Sequence, residues 1–451
     1  MRRVFIACEM ILLLVGCNDR EKAKMPDLTS QAGQLVHELA TDNTASVRRR
    51  FSPVMSQSLS DEQLRQAWLD LVGQIGTLEE IATVRETMEG GCQVVYVTGR
   101  FTKGDMDIKV AFDQNGQVAG LFFVPVAPWK PPDYANRQQF DERLVSVTTG
   151  KFSLPGTLTV PKVGGNWPAV VLVHGTGPHD QDVTIGPNKP FKDIAWGLAT
   201  RGIVVLRYDK RTFRYGSKPA TDPLELTVKQ ETIEDAISAL RLLVRTDGVD
   251  PTRVYILGHS LGGMLAPRIA AAANPKPSGL IILAGNARPL ETSLLEQLIY
   301  LAERDGHVDD NEQRLIDSAR RIRERLSSPD FQPTETVDIL GCKLPGGYLL
   351  DLHRYDPIAA AKKLRMPMLI LRGKRDYQVS SRDEQMWREG LRNVPEVEFR
   401  TYEHLNHFFM KGEGMPGPEE YFQEGHVSAK VIDDLDEWML KRSARELRLD
   451  K

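Results

Sequence analysis

Apolar positions follow two rhythms along this chain, and the change between them divides it. Up to about residue 126 the pattern is short and mixed. Gln31 to Ala40 and Asp61 to Gln74 carry apolar residues at helical spacing, the second opened by a Ser60-Asp61-Glu62 cap. Strand-like runs follow at Ile81–Glu86, Gln93–Phe101 and Met106–Phe112, and Asn115-Gly116 turns the chain into another, Val118–Val124. Residues 25–126 are therefore expected to form a small α+β domain, with no His/Asp/Glu constellation suggesting chemistry.

The prolines of Pro128-Trp129-Lys130-Pro131-Pro132 then predict a stiff linker over 127–140. From 141 to 451 the strands become nearly continuous apolar runs alternating with helical segments. Phe140 to Val160 supplies a pair of strands, and further strands are predicted at Ala169–Val173, Ile203–Tyr208, Leu280–Leu283, Met368–Leu371 and Val397–Tyr402. Helices are predicted at Lys192–Thr200, Thr227–Leu243, Leu261–Ala273 and Ser381–Leu391. Apolar strands alternating with helices imply an α/β domain: a mostly parallel sheet covered on both faces. Residues 286–366 are longer than a normal connection. They are expected to hold helices at Glu291–Asp305 and Asp310–Leu326, a Pro/Gly-rich stretch, and one last helix from Tyr348 to Leu364.

The first residues follow neither rhythm. Arg2 and Arg3 precede an apolar run, Val4 to Val15, that closes in Gly16-Cys17 before polar Asn18-Asp19. This is the pattern of a secretory signal, too short for a stable membrane span. The small residue before Cys17 resembles the lipobox of bacterial lipoproteins. That resemblance implies a lipoprotein signal peptide over 1–17, cleaved so that Cys17 becomes the lipidated N-terminus, and an exported protein anchored to a membrane and facing the periplasm or cell exterior. Cys92 and Cys342 then remain, without metal spacing, and are read as unpaired. A net charge of −3 gives no electrostatic case for nucleic acid. The run Arg320-Arg321-Ile322-Arg323-Glu324-Arg325 reads as a solvated helix face.

The strongest chemical signal is Gly258-His259-Ser260-Leu261-Gly262-Gly263, between the apolar run Val254–Leu257 and a helical segment. Strand, Gly-x-Ser-x-Gly, helix is the nucleophile elbow of α/β-hydrolases. A serine hydroxyl needs an imidazole to take its proton, and the imidazole needs an acid to fix its tautomer. Asp376 and His407 each follow a predicted strand, in the chain order Ser, Asp, His of that fold. His404 is the rival base, expected to be packed, and Asp356 the rival acid, reading better as a helix start. An oxyanion needs a pair of fixed N–H donors: the amide of Leu261 is one candidate, and that of Thr176 in His174-Gly175-Thr176-Gly177-Pro178 the other. Arg207 to Arg211 is read as an ion-pair network bracing the same edge.

Taken together, Leu154–Leu158, His174–Pro178, Thr184–Phe191, Arg207–Thr212 and Gly258–Gly263 resemble the bacterial two-domain α/β-hydrolase esterases, relatives of the dienelactone-hydrolase and prolyl-oligopeptidase clan. The N-terminal domain is similar to the cone-shaped nuclear-transport-factor-like domains. The resemblance implies a serine carboxylesterase working through Ser260, Asp376 and His407, with no cofactor and no metal. It also implies that 286–366 stands where such hydrolases carry a lid. Leu294, Leu298 and Leu301 fall at helical spacing and are expected to pack this insertion onto the sheet, which leaves little to line an acyl tunnel and predicts small, short-chain esters as substrates. Thr176 replaces the usual serine, and His179-Asp180-Gln181-Asp182 lacks the usual arginine. A serine peptidase or amidase with the same triad is the alternative within enzymes, and a non-catalytic hydrolase-like binding module the alternative outside them.

The front end makes its own test. Mass spectrometry of the exported protein is expected to find a mature N-terminus at a lipidated Cys17, and Cys17→Ser to release the protein from membranes or block its processing. An unmodified N-terminus elsewhere contradicts the anchor.

Overall fold

The computed structural model describes residues 27–89, 92–113, 115–125, 129–215, 226–339 and 342–449. Cys17 lies outside them, as do the side chains of Cys92 and Cys342.

The first domain packs helices onto one face of an antiparallel meander. Helices α1 (Leu28–Ala40), α2 (Thr44–Arg48), α3 (Pro53–Ser58) and α4 (Asp61–Ile75) precede strands β1 (Leu78–Glu89), β2 (Cys92–Phe101), β3 (Gly104–Phe112) and β4 (Val118–Pro125), paired in that order. Ser60 and Gln63 close a reciprocal capping box at the start of α4, which is why that helix begins where its sequence indicates. Leu35, Leu39, Leu64 and Trp68 of the helices bury against Ile108 and Leu121 of the sheet in a core of their own. Helices α2 and α3 were not legible, because neither is long enough to develop a helical period.

The second domain is built on an eight-stranded sheet. An edge hairpin, β5 (Phe140–Thr149) and β6 (Phe152–Pro161), lies antiparallel beside β8 (Val204–Tyr208). The parallel strands β7 (Trp167–Val173), β8, β9 (Val249–His259), β10 (Gly279–Leu283), β13 (Met368–Gly373) and β14 (Val397–Tyr402) complete it in the spatial order β14-β13-β10-β9-β7-β8-β6-β5. One face is covered by α5 (Pro190–Thr200) and the long final helix α14 (Ala429–Leu449), burying Phe191, Ile194, Val431, Leu435 and Trp438. The other is covered by α7 (Glu234–Val244) and α8 (Leu261–Ala272), burying Leu240, Leu243, Leu265 and Ile269. A short helix α6 (Arg211–Tyr215) follows β8, and a π-helical turn, Lys229–Ile233, leads into α7 within the segment expected to be one helix. Helix α14 is not among the elements that the apolar pattern predicts.

The insertion holds α9 (Leu290–Glu303), α10 (Asp310–Ser327), a hairpin of β11 (Thr336–Ile339) and β12 (Cys342–Pro345), α11 (Gly346–Arg354), α12 (Pro357–Ala361) and the return to β13; α13 (Ser381–Leu391) comes after β13. The expected single helix from Tyr348 to Leu364 is thus two. Pro357 disfavours helical backbone at Asp356, which adopts φ −103°, ψ 102° and caps α12 by accepting from the Ala359 amide at 2.9 Å. Leu294, Leu295 and Leu298 bury in the same core as the sheet, so α9 packs on the domain instead of standing off it.

The proline-rich stretch is a docked strap as well as a spacer. Trp129 meets Trp196 edge-on at 4.8 Å between ring centres, and its indole N–H donates to Asp193 at 2.9 Å. Asp193 is fully buried and also accepts from the Val427 amide at 3.0 Å and bonds His426 Nδ1 at 3.2 Å. The bond to Asp193 raises the His426 pKa above its ordinary value, against the opposing effect of burial. A histidine pKa raised by folding stabilises fully below the unfolded value of about 6.5, and that contribution is lost as pH rises through the folded value. Urea unfolding of the wild type and His426→Gln should therefore differ by about 0.5 kcal/mol more at about pH 5.5 than at about pH 8.5. An equal difference at both pH values contradicts the assignment.

Candidate functional site

The candidate residues converge because the parallel strands end in register. Val173 of β7 stands opposite Gly258 of β9, His259 opposite Leu283 of β10, and Leu283 opposite Leu371 of β13. The segments that follow carry Gly175, Ser260, Asp376 and His407 to one edge of the sheet.

At the end of β9 the chain reverses on a single residue. Ser260 has φ 54° and ψ −118°, a conformation that costs a non-glycine residue of the order of 1–3 kcal/mol. Its amide is held by the Leu283 carbonyl at 2.9 Å. The glycines around it mark where backbones touch. A Cβ on Gly258 would lie 2.2 Å from the Gly262 carbonyl oxygen, and one on Gly262 would lie 2.5 Å from the carbonyls of Val173 and His174. The sharp reversal is thus packed between strand and helix with no room for a methyl group.

Beyond β14, His407 is buried, and its Nδ1 lies 2.8 Å from Asp376 Oδ2. The other carboxylate oxygen of Asp376 accepts from the amides of Gln378 and Val379 at 2.8 and 2.9 Å. This wiring fixes the carboxylate plane and, through it, the imidazole. His259 reaches back with Nε2 to the His407 carbonyl at 3.0 Å. Burial, reinforced by His407, pushes the His259 pKa well down; burial, reinforced by His179 and Lys210, does the same for His174. Of the two, His259 lines the cavity beside Ser260. His404, expected to be packed, is instead exposed, in the turn that follows β14. It is not among the residues lining the cavity that holds Ser260 and His407, and Asp356 caps α12.

Opposite the serine, the loop after β7 comes close enough that a Cβ on Gly175 would stand 3.0 Å from the Ser260 Cβ. Thr176 is the next residue of that loop, and Leu261 is the first residue of α8. Helix α8 therefore turns its N-terminal amides and partial positive charge toward the edge where Ser260 sits. Ion pairs brace this edge. Buried Arg207 donates to Asp182 at 2.7 Å and to Glu142 at 2.5 Å, and Arg211 grips Asp235 in a bidentate pair at 3.0 and 2.6 Å. Ser260, His407, Gly175 and Thr176 line one cavity of about 110 Å³. Its walls are mostly apolar: Leu290 and Leu294 from the insertion, Ile185, and Phe408, Tyr421 and Phe422 from the chain after β14. Sequence reasoning missed these aromatic residues. Only Phe408, beside His407, carried any signal.

An imidazole pinned by a buried carboxylate lines the same cavity as a serine on a strained turn, the combination of groups that serine activation requires. Comparison with known proteins agrees with this fold. Residues 170–419 match the alpha/beta hydrolase family. The chain belongs to that family. Residues 32–121 match a separate family described as a protein of unknown function, DUF3887. Over 440 residues this hydrolase is 39% identical to the esterase EstD of Thermotoga maritima, covering 97% of this chain and 99% of that protein. Among solved structures, Est1E from Butyrivibrio proteoclasticus is 18% identical with a TM-score of 0.44, covering 67% of this chain and 99% of its own. The Pyrococcus horikoshii acylaminoacyl peptidase is 16% identical with a TM-score of 0.45, covering 81% of this chain and 56% of its own.

The crowding at the reversal is directly testable. Gly258→Ala must displace backbone, so it should destabilise the domain by about 3 kcal/mol or more in chemical unfolding. A stable variant of wild-type activity contradicts the close approach described here.

Proposed function

We propose that this hydrolase is a serine carboxylesterase that cleaves short-chain esters through an acyl-enzyme. The observation that carries the reading is the buried His407–Asp376 pair opening into the same cavity as Ser260. Identity of 39% to an esterase over nearly the whole chain supports the reaction class.

In this mechanism the Ser260 hydroxyl gives its proton to His407 Nε2 as its oxygen attacks the ester carbonyl. His407 Nδ1–H stays bonded to Asp376, which stabilises the imidazolium and remains ionised. The carbonyl oxygen becomes an oxyanion received by the amides of Leu261 and Thr176. The intermediate collapses, the C–O bond to the alcohol breaks, and the imidazolium proton leaves with that alcohol. Water then repeats the sequence on the acyl-serine, with His407 taking its proton, and frees the acid.

Substrate size follows from the cavity. An apolar cavity of about 150 Å³ accommodates benzene, and this one measures about 110 Å³. Leu295 and Leu298 of the insertion are committed to the core, which leaves little apolar surface to extend it. The small volume supports short acyl groups over long chains. We also infer export and anchoring through Cys17. Among the described residues no helix is long and apolar enough to cross a membrane.

Two measurements test this. Ser260→Ala and His407→Ala should each lower kcat on p-nitrophenyl acetate by about 10⁶-fold with the fold intact, and Asp376→Asn by about 10⁴-fold. An active Ser260→Ala enzyme sinks the mechanism. Across p-nitrophenyl esters from acetate to palmitate, kcat/KM should peak between acetate and butyrate. A peak at laurate or beyond would mean an acyl channel.

A further inference from the structure

Lys210 follows β8 and is almost fully buried, at 2% exposure, yet it is not part of the chemistry described above. Its ammonium donates to the Gly175 carbonyl at 2.8 Å. Its backbone amide donates to the His179 carbonyl at 2.9 Å, and His179 Nε2 lies 2.8 Å from the Thr176 carbonyl. One residue therefore grips both ends of the loop that faces Ser260.

The geometry of a peptide makes the first of these contacts informative. The Gly175 carbonyl and the Thr176 N–H belong to one peptide unit, and among the described residues the cis bond is elsewhere, at Asn274-Pro275. In a planar trans peptide C=O and N–H point in opposite directions. Pulling the Gly175 oxygen back toward Lys210 turns the Thr176 N–H the other way. A Cβ on Gly175 would stand 3.0 Å from the Ser260 Cβ, so this peptide begins within reach of the serine.

Lys210 is itself held from behind. Its ammonium lies 3.2 Å from Glu231, which also accepts from the Thr212 hydroxyl at 2.9 Å and, on its other oxygen, from the Tyr348 hydroxyl at 2.7 Å. Glu231 is the middle residue of the π-helical turn Lys229–Ile233. Such turns are rare and recur at functional sites, where they re-aim a side chain from within a helix. Tyr348 belongs to α11 of the insertion. The chain of contacts thus runs from the insertion, through a buried ion pair, to the peptide facing the serine.

We propose that Lys210, set by Glu231 and by Tyr348 of the insertion, is the positioning residue that orients the Gly175–Thr176 peptide so that the Thr176 N–H receives the oxyanion. This rests on the serine esterase reading. Lys210 touches no reacting atom. Its charge also draws electron density toward the Gly175 oxygen, which strengthens the Thr176 N–H as a donor.

The test uses the full-length enzyme and a trifluoromethyl ketone, which forms a tetrahedral oxyanion on an active serine. Lys210→Met should lower kcat on p-nitrophenyl acetate by about 10²-fold with KM within about twofold. It should weaken the ketone by the same factor as kcat, as loss of an interaction made to the tetrahedral state requires. A purely structural lysine would lower the amount of active enzyme and leave the ketone inhibition constant unchanged. Tyr348→Phe removes one hydroxyl and decides the matter if Lys210→Met does not fold: kcat and ketone affinity should fall together, by about 3- to 10-fold. Unchanged ketone affinity in a folded Lys210→Met enzyme, or in Tyr348→Phe, overturns the positioning role. Ser260→Ala keeps the two levels apart. An enzyme silenced by Ser260→Ala but unmoved by Lys210→Met loses only this proposal, whereas one that survives Ser260→Ala loses the parent reading.

Discussion

The structure depends on one close approach: the reversal at Ser260 between the end of β9 and the start of α8. Backbone from β7, β9 and α8 meets there with no space for a Cβ at Gly258 or Gly262. A serine can be held at φ 54° only where its surroundings leave no relaxed alternative, and the bond from its amide to Leu283 is part of that restraint. The parallel register of the sheet then does the rest. Because β7, β9, β10 and β13 end level with one another, short loops suffice to bring the histidine, its carboxylate and the glycine loop to the same edge.

Around that point the domain is stiffened by charge as much as by packing. Arg207, Lys210 and Arg211 leave one strand end and each finds a buried carboxylate, in Asp182, Glu231 and Asp235 respectively. Buried ion pairs add little net stability compared with apolar residues, but removing one partner strands the other. Their value here is geometric, since they fix loops that no apolar contact would hold in a single orientation. The insertion joins the same scheme. It supplies Leu290 and Leu294 to the cavity wall and Tyr348 to the ion-pair chain, so it is integral to the site's shape.

Much of this was legible in the sequence, for identifiable reasons. The parallel strands announce themselves as buried apolar runs, and the elbow as glycines at fixed offsets. The proposed histidine and acid were found by chain order and by their place after strands, and the structure brings them within 2.8 Å. What escaped depended on tertiary contact. The exposure of His404 is decided by a turn, not by distance from a strand. The break before Pro357 overrides an apolar pattern continuous to Leu364, and the polar residues of α14 mask its stripe of Val431, Leu435 and Trp438. The cavity aromatics Tyr421 and Phe422 follow no period at all, and the role of Trp129 as a docked strap emerges only once Trp196 and Asp193 are beside it.

The central claim is that Ser260 is the nucleophile of a covalent mechanism. It is tested most directly by treating the purified enzyme with a fluorophosphonate probe and mapping the adduct by mass spectrometry. One equivalent of label on Ser260, with activity lost in step, is the expected result. Labelling elsewhere, or full modification of Ser260 with activity retained, would contradict the account.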